Sequence, residues 1–364
     1  MSEFKSSNFR NEDGSGGPDI VGVTTFTSPY YFVPPSGTTA ERPSDPAPGM
    51  LRFNEDIGRL EVWRNDHWAT ILGEPSATLG GRGIFFGGEQ PSVYYNIIEY
   101  VTIATTGDAI DFGDLSVARG SGAACGSTTR GLCGGGFANP LTYNTIDFVT
   151  FSNLGDATDF GDLTVARSIV AAFSSSTRGI WSGGYSVNTI DYVTIASTGN
   201  AQDFGDRTVT NFYNAGFSSQ TRGITGGGET PTQSDVIDYV TIASTGNAVD
   251  FGNLLAARSR LGGCSNSVRG LFAGGDSSGV DNVIQYLTIS TTGNTQDFGD
   301  LTTIRRNNMG NFTNPTRAVL GSGVSGPTNI DFVNIATTGN AQDFGDILSA
   351  RWGPAGESNT HGGL

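Results

Sequence analysis

The sequence predicts an all-β fold built from six copies of one unit, and three observations support this. The first is an Asp-Phe-Gly triplet that recurs at spacings of 44 to 48 residues, a period typical of solenoids, arrays and propellers. The second is composition: 54 glycines, 14 prolines and apolar segments rich in Val, Ile, Thr, Phe and Tyr are typical of short strands joined by tight turns. The third is that no segment keeps a 3.6-residue apolar period. The triplets begin at Asp111, Asp159, Asp203, Asp250, Asp297 and Asp343.

Each unit predicts four strands. An arginine followed by a small residue opens a short apolar strand. After this strand come a Gly-Gly pair, a loop, a second strand, a Thr-Gly turn, the triplet and a small-residue strand. Four strands in about 47 residues is the size of a propeller blade, and neighbouring blades bury both faces of each sheet. The arginines are Arg82, Arg130, Arg178, Arg222, Arg269 and Arg317.

The C-terminal residues 347–364 match the small-residue strand of a further copy, and the repeats open at Arg82 on the strand that would follow it. We therefore expect this tail to supply the first strand of the sheet formed by residues 82–115, which removes the free sheet edges. The predicted fold is a six-bladed β-propeller over residues 80–364, closed by the C-terminal strand.

The order of strand, diglycine, loop, strand and aromatic resembles the kelch repeat. Pairs such as Gly135-Gly136 match the kelch diglycine, and Tyr192 and its equivalents match the kelch tyrosine. Phe112 and its equivalents stand where kelch repeats carry tryptophan. The resemblance implies a propeller and no particular function, because kelch propellers serve enzymes and binding proteins alike.

Residues 47–73 predict a small β-meander with two turns. Its spacing resembles a short module of fibre and appendage proteins of tailed bacteriophages. The residues that carry this likeness are Arg42, Pro43, Pro46, Gly49, Phe53, Asn54, Leu60, Glu61, Trp63 and Trp68.

Residues 1–46 predict an N-terminal arm whose first part is flexible. Four aromatic residues, Phe26, Tyr30, Tyr31 and Phe32, cannot bury themselves within one extended segment, so we expect them to anchor the arm on another protein or on a second copy of the chain. A disordered leader is the alternative. Residues 1–17 have no apolar segment of a secretory signal, and no run of about 18 apolar residues predicts a membrane span.

The net charge of −15 disfavours nucleic acid as a partner, because an acidic surface repels phosphate. Three cysteines cannot all pair, and we expect them to be buried free thiols. His67 and His361 form no cluster with cysteine that would bind zinc or copper, so no metal and no cofactor is expected. Calcium at the Asp-rich turns stays an open alternative.

We interpret the repeated aspartates and arginines as structural, because catalysis needs a single asymmetric arrangement. The six aspartates of the triplets are expected to hold turns, with Asp203 as a buried turn partner, and an arginine is expected to reach a carboxylate. No catalytic residue is predicted. Asn211 stands where other units carry arginine, which a structural site tolerates.

The loops between the second and third strands differ between copies, and such loops on a rigid scaffold often carry recognition. Five aromatic residues concentrate in the first three of these loops: Tyr94, Tyr95, Phe137, Tyr143 and Tyr185. Aromatic faces stack on sugars, so the pattern predicts glycan binding. Drift in loops that bind nothing is the alternative.

The repeat at residues 190–209 is similar to repeats in structural proteins of phages of cyanobacteria. With the short module, this resemblance implies a non-enzymatic virion protein (a fibre, neck or capsid appendage) that contacts other virion proteins through its arm and a host surface glycan through its loops. A glycan-processing depolymerase on the same scaffold is the alternative, and a cellular kelch-type adaptor is a third reading.

Overall fold

The computed structural model describes residues 34–64, 66–70, 81–306, 310–324 and 328–364, and the predicted anchoring residues Phe26, Tyr30, Tyr31 and Phe32 lie outside them. Within these ranges the fold is all-β and has no α-helix. No helix there is long and apolar enough to cross a membrane. The chain divides into two compact units, residues 1–73 and 74–364, and each is described separately.

The first unit holds one four-stranded sheet in the order β1-β2-β3-β4, and a 3₁₀ turn, Thr39–Glu41, follows β1. Strand β1 runs parallel to β2, and the other pairs are antiparallel. The strands are β1 (Ser36–Gly37), β2 (Leu51–Asn54), β3 (Arg59–Arg64) and β4 (His67–Thr70). Ser36 and Gly37, which the sequence assigns to the arm, pair with Phe53 and Asn54 of this sheet. That pairing is a backbone contact across more than ten residues, which no local pattern reveals.

Buried Glu61 explains part of the module's sequence motif. Its carboxylate accepts a hydrogen bond from Nε of Arg42 over 3.2 Å, and Nη1 of Arg52 lies 3.8 Å away. The hydrogen bonds from Arg42 lower the pKa of Glu61. The arginine and the glutamate of the motif therefore tie residue 42 to the third strand.

The second unit contains six antiparallel four-stranded sheets and one small hairpin. Sheets 1 to 3 contain β5 (Arg82–Gln90), β6 (Val93–Thr102) and β7 (Ile110–Asp114); β8 (Ala123–Gly126), β9 (Arg130–Gly134), β12 (Thr145–Thr150) and β13 (Thr158–Asp162); and β14 (Ala171–Ser174), β15 (Arg178–Ser182), β16 (Thr189–Thr194) and β17 (Gln202–Asp206). The hairpin lies in a loop of sheet 2 and consists of β10 (Phe137–Ala138) and β11 (Leu141–Thr142).

Sheets 4 to 6 repeat the same pattern, and the last strand of the chain joins sheet 1. They contain β18 (Ala215–Ser218), β19 (Arg222–Gly226), β20 (Val236–Thr241) and β21 (Val249–Asn253); β22 (Gly262–Ser265), β23 (Arg269–Ala273), β24 (Val283–Thr288) and β25 (Gln296–Asp300); and β26 (Gly310–Thr313), β27 (Arg317–Gly321), β28 (Asn329–Asn334) and β29 (Gln342–Asp346). Strand β30 (Ala355–Ser358) pairs antiparallel with β5, which agrees with the prediction that the tail completes the first sheet.

The first strands of neighbouring sheets contact one another in a cycle. The order is β30, β8, β14, β18, β22 and β26, and β26 contacts β30 again. The last sheet also bonds to the first: Gly107 and Ala109 donate to the carbonyls of Phe344 and Asp346, each over 2.8 Å. The hydrophobic core lies between neighbouring sheets, and one such layer packs Phe85 and Val101 of sheet 1 against residues of sheet 6.

The repeated triplet is explained by its phenylalanine and glycine. Phe204 and its five equivalents are buried, and each packs edge-on against the aromatic residue of the third strand, as Tyr192 does at 5.8 Å. Gly205 has φ +146°, and a Cβ there would lie 2.5 Å from the carbonyl oxygen of Gly246 in the next sheet. The prediction that Asp203 is a buried turn partner is wrong: it is exposed, and no other described residue bonds to its carboxylate.

The glycine after each repeated arginine makes room for the preceding sheet. A Cβ at Gly223 would lie 2.0 Å from the ring of Phe173, and one at Gly270 would lie 1.9 Å from the ring of Phe217. Where the first strand carries the smaller Cys264, the next sheet carries Ala318 instead of glycine, and both are buried in one core. Phe173 and Phe217 therefore each face a glycine of the next sheet, as does the smaller Cys125, which lies 2.8 Å from the place of a Cβ at Gly179.

Candidate binding site

Strands alternate in direction, so two kinds of connection meet at one end of the second unit. They are the loops from second to third strand and the connections from the fourth strand to the next sheet. Their residues pair directly: Glu89 and Trp352 exchange two backbone hydrogen bonds, of 2.8 and 2.7 Å, and Phe137 and Gly120 exchange two of 2.9 and 3.0 Å. We call this end the loop end. The predicted recognition residues all lie in the first kind of connection.

An open pocket of about 510 Å³ lies at the loop end between sheets 1, 2 and 3. It brings together Tyr94, Phe137 and Tyr185, three of the five predicted aromatic residues. Tyr95 and Tyr143 do not line it; they are half-buried, and their carbonyls accept from the backbone N–H groups of Arg119 and Arg167. The lining consists of Glu89, Gln90, Pro91, Ser92, Tyr94, Ser121, Phe137, Thr142, Ser168, Ile169, Tyr185, Tyr213 and Trp352.

Trp352, Tyr213 and Ile169 were missed by sequence reasoning, because they come from connections between sheets. The alternation of strand direction would have placed them at the same end as the loops. Tyr213 extends the aromatic lining through Phe212, whose ring centroid lies 5.3 Å from that of Tyr213 and 5.0 Å from that of Tyr185. Tyr94 meets Phe137 edge-on at 5.9 Å.

Ile169 and Tyr213 occupy left-handed backbone, with φ of +59° and +60°. The equivalent residues of other connections include Ser121, at +57°, and Gly353, at +58°. Left-handed backbone costs a non-glycine residue about 1–2 kcal/mol, and a β-branched residue is a genuine outlier there. The same conformation occurs at Arg260, at +59° and outside the pocket, so it belongs to the repeat. Two bulky side chains thus stand in the pocket at positions where glycine would be less strained.

Glu89 is the only carboxylate among the described residues that line the pocket, and no lysine or arginine lines it there. Its Oε1 accepts a hydrogen bond from Oγ of Ser121 over 3.3 Å. Burial raises the pKa of Glu89. The pocket therefore combines aromatic faces with one half-buried acceptor.

The opposite side of the loop end carries paired charged side chains instead of a pocket. Arg260 lies 3.0 Å from Glu229 and 3.2 Å from Asp276, and Arg306 also contacts Asp276. The guanidinium of Arg260 sits 4.2 Å from the ring centroid of Tyr213, at the edge of the aromatic side. The two acidic groups on this side are thus neutralised by two arginines.

The repeated arginines bridge neighbouring sheets. Nη1 of Arg178 donates to the carbonyl of Ile242 in the next sheet over 2.9 Å, and Arg317 of the last sheet bonds in the same way to Ile103 of the first. Each guanidinium also covers the third-strand aromatic of its own sheet, as Arg178 covers Tyr192 at 4.8 Å. The six arginines are Arg82, Arg130, Arg178, Arg222, Arg269 and Arg317.

In five of the six sheets the carboxylate that pairs with a buried arginine comes from the third strand, whereas in sheet 5 Arg258 lies 3.4 Å from Asp281 of the preceding loop. Asp191 is fully buried, lies 2.9 Å from Nη2 of Arg167 and accepts from Oγ1 of Thr164 over 2.7 Å. This aspartate is not among the predicted structural residues, although it recurs two residues before the valine of each Ile-Asp-Tyr-Val segment. The buried pairs are Arg119–Asp147, Arg167–Asp191, Arg207–Asp238, Arg305–Asp331 and Arg351–Glu99.

One cluster of serine, histidine and glutamate lies near the first strands. Nε2 of His361 is 3.3 Å from Oγ of Ser174 and 3.4 Å from Oε1 of Glu357. A nucleophilic relay needs the acid on the other ring nitrogen, but here Nδ1 accepts from the backbone of Gly363. Burial raises the pKa of Glu357 and lowers that of His361 to about 4. The contact therefore joins a carboxyl whose charged form is disfavoured by burial to an imidazole that stays neutral above about pH 4.

The three cysteines are buried and free, as predicted. Burial raises the pKa of Cys133 to about 11, so its thiol stays protonated at neutral pH. Among the described residues, no group of three His, Cys, Asp or Glu side chains is close enough to hold a metal ion.

The aromatic pocket is thus the best-formed candidate for recognition in the described part of the chain. No family model matches the sequence, and no curated protein matches it. The assignment of function therefore depends on the geometry and on the resemblances noted in the sequence.

Proposed function

We propose that the protein is a non-enzymatic carbohydrate-binding protein of a virus particle, and that its six sheets are the blades of a kelch-like β-propeller. The observation that carries the binding function is the pocket at the loop end, where Tyr94, Phe137, Tyr185, Tyr213 and Trp352 converge. Aromatic faces with a few polar groups are typical of ligand sites, and about 510 Å³ lies within their usual range of about 300–1,000 Å³.

The propeller is supported by the cycle of contacts between first strands and by the hydrogen bonds between the last sheet and the first. At that junction the backbone N–H of Asp346 donates to Oδ1 of Asp108 over 3.0 Å, as that of Asp162 does to Asn200 between consecutive sheets. The same hydrogen bond between neighbouring sheets therefore recurs at the junction of the chain ends, as expected for blades arranged around one axis.

The assignment of the protein to a virus particle is supported by sequence resemblance alone. Residues 42–68 and the 47-residue repeat are both similar to segments of phage structural proteins. The aromatic residues of the arm, Phe26, Tyr30, Tyr31 and Phe32, would then anchor the protein on other virion proteins or on a second copy. The loop end would face the host surface.

A glycan-processing enzyme is the alternative, and Glu89 favours it. A carboxyl group whose pKa is raised by burial suits a general acid. Most glycosidases, however, place a second carboxylate about 5–10 Å away. Glu89 is the only acidic side chain among the described lining residues.

The test compares neighbouring tyrosines. Tyr94 and Tyr185 line the pocket, whereas Tyr95 and Tyr143 do not, so Tyr94→Ala and Tyr185→Ala should reduce binding to a glycan array at least tenfold. Tyr95→Ala and Tyr143→Ala serve as matched controls that should leave binding within about twofold, once their folding is verified. Equal binding by both pairs of variants would exclude the pocket, and release of shortened glycans would favour the enzyme.

A further inference from the structure

We propose that the pocket accepts uncharged saccharides and rejects those that carry carboxylate or sulfate, with Glu89 as the residue that decides. This inference rests on the proposed carbohydrate-binding function. It follows from comparing Glu89 with the residues at the same place in the other sheets, directly after the diglycine.

The comparison separates Glu89 from the two other acidic residues at this position. Glu229 and Asp276 both contact Arg260, at 3.0 and 3.2 Å, so their charges are compensated. Glu89 forms no ion pair with any described residue. The other equivalents, Phe137, Tyr185 and Val324, are apolar or aromatic. Of the three acidic side chains in this series, Glu89 alone keeps its charge uncompensated, and it alone lies in the pocket.

Glu89 is held in place and has one oxygen available. Two backbone hydrogen bonds to Trp352 fix its main chain, and Ser121 donates to Oε1. Oε2 has no hydrogen-bond partner among the described residues. Gly120 leaves the space for it, since a Cβ at that glycine would lie 2.9 Å from Oε2. This oxygen can therefore accept a hydrogen bond from a ligand.

A saccharide hydroxyl provides the donor that this oxygen lacks. The aromatic rings beside it offer apolar faces to the C–H faces of a sugar. An acidic saccharide would bring a second negative charge near a half-buried carboxylate that no arginine or lysine of the described lining compensates, and like charges repel strongly where water is partly excluded. The same pocket chemistry therefore favours a neutral sugar and disfavours an anionic one.

The experiment uses a glycan array of neutral, uronic-acid, sialic-acid and sulfated oligosaccharides, probed with the full chain. The parent protein should bind neutral members at least tenfold more tightly than acidic ones of matched length. Glu89→Gln keeps the shape and removes the charge, so it should reduce this ratio to less than threefold by gaining acidic ligands. A thermal melt confirms that the variant is folded.

A second variant tests the charge without touching Glu89. Thr142 is exposed and lines the pocket, so Thr142→Lys should recruit acidic saccharides, and Thr142→Gln is its neutral control. If the parent binds acidic and neutral members equally, the charge selectivity is wrong and the binding function stands. If no glycan of either class binds, the proposed function itself is overturned. If Glu89→Gln keeps the parent's preference for neutral over acidic saccharides, Glu89 does not determine that preference.

Discussion

Arg207 donates from Nη2 to Oδ1 of buried Asp238 over 2.9 Å, from a position four residues before the one that arginine holds in the other five connections. At the usual position stands Asn211, which contacts Arg207 and donates to the carbonyl of Gly227 over 2.8 Å. The same carboxylate site is thus served by an arginine from a different backbone position. The geometry keeps the ion pair and exchanges its donor, as a structural role allows.

This exchange gives a reversible test. Arg207→Leu restores the leucine found in most other sheets but leaves Asp238 buried without a cation, so we expect a loss of about 3–5 kcal/mol in the free energy of unfolding. Adding Asn211→Arg should recover most of it, because that arginine then stands as Arg167 does. Chemical denaturation of the single and double variants measures the recovery; no recovery would show that the two positions are not equivalent.

Asp191 and Asp203 face each other on paired strands, and only one is buried. Asp191→Ala should cost about 3–5 kcal/mol, since it leaves Arg167 buried and unpaired. Asp203→Ala should change the free energy of unfolding by less than about 0.5 kcal/mol, as is usual for exposed substitutions. Urea denaturation distinguishes them, and an equal loss from both would contradict the assignment.

The contact between Phe173 and Gly223 predicts a coupled pair. Gly223→Ala should destabilise the protein by about 1–3 kcal/mol, because the new methyl group overlaps the ring. Phe173→Cys in the same chain copies the Cys264–Ala318 arrangement and should reduce the overlap, since a Cβ at Gly179 would lie 2.8 Å from Sγ of Cys125 but one at Gly223 would lie 2.0 Å from the Phe173 ring. A double-mutant cycle measures this coupling. Ala318→Gly is the control, since it removes a methyl group where Gly223→Ala adds one. If the losses from Gly223→Ala and Phe173→Cys are additive, the two residues are not coupled by their size.

Glu357 makes stability depend on pH. Burial raises its pKa from the ordinary value of 4.5, so the folded chain binds a proton that the unfolded chain releases. Its contribution is therefore fully present at low pH and is lost as pH rises through the raised pKa. Glu357→Gln removes this dependence, so its melting temperature relative to the parent should be higher at pH 8 than at pH 5.

His361 makes stability depend on pH in the opposite direction. Its pKa falls from 6.5 to about 4, so the unfolded chain binds the extra proton and stability decreases as pH falls between these values. His361→Gln should therefore remove a loss of stability between pH 6.5 and about 4, whereas Glu357→Gln should remove a loss that grows as pH rises above 4.5. A difference between parent and Glu357→Gln that stays constant across pH would contradict the buried protonated carboxyl.

Short-range patterns were enough to predict the strands. The triplets, the diglycines and the match of residues 347–364 to a first strand each occupy a few consecutive residues, and the structure has the four-stranded antiparallel sheets that they predict. The buried free cysteines were also predictable, because most of the equivalent places in other copies carry apolar residues, such as Phe173, Phe217 and Phe312. Repetition made these patterns readable, since each copy tests the reading of the others.

Only the tertiary structure decided which residues meet. Asp203 looked structural because it recurs, yet its neighbours in the triplet, Phe204 and Gly205, carry the packing. The pocket unites Glu89 with Trp352, 263 positions apart, through the pairing of the chain's last sheet connection with its first loop. Burial and ion pairing depend on contacts between distant segments, and a local pattern fixes the conformation of a segment without fixing its neighbours.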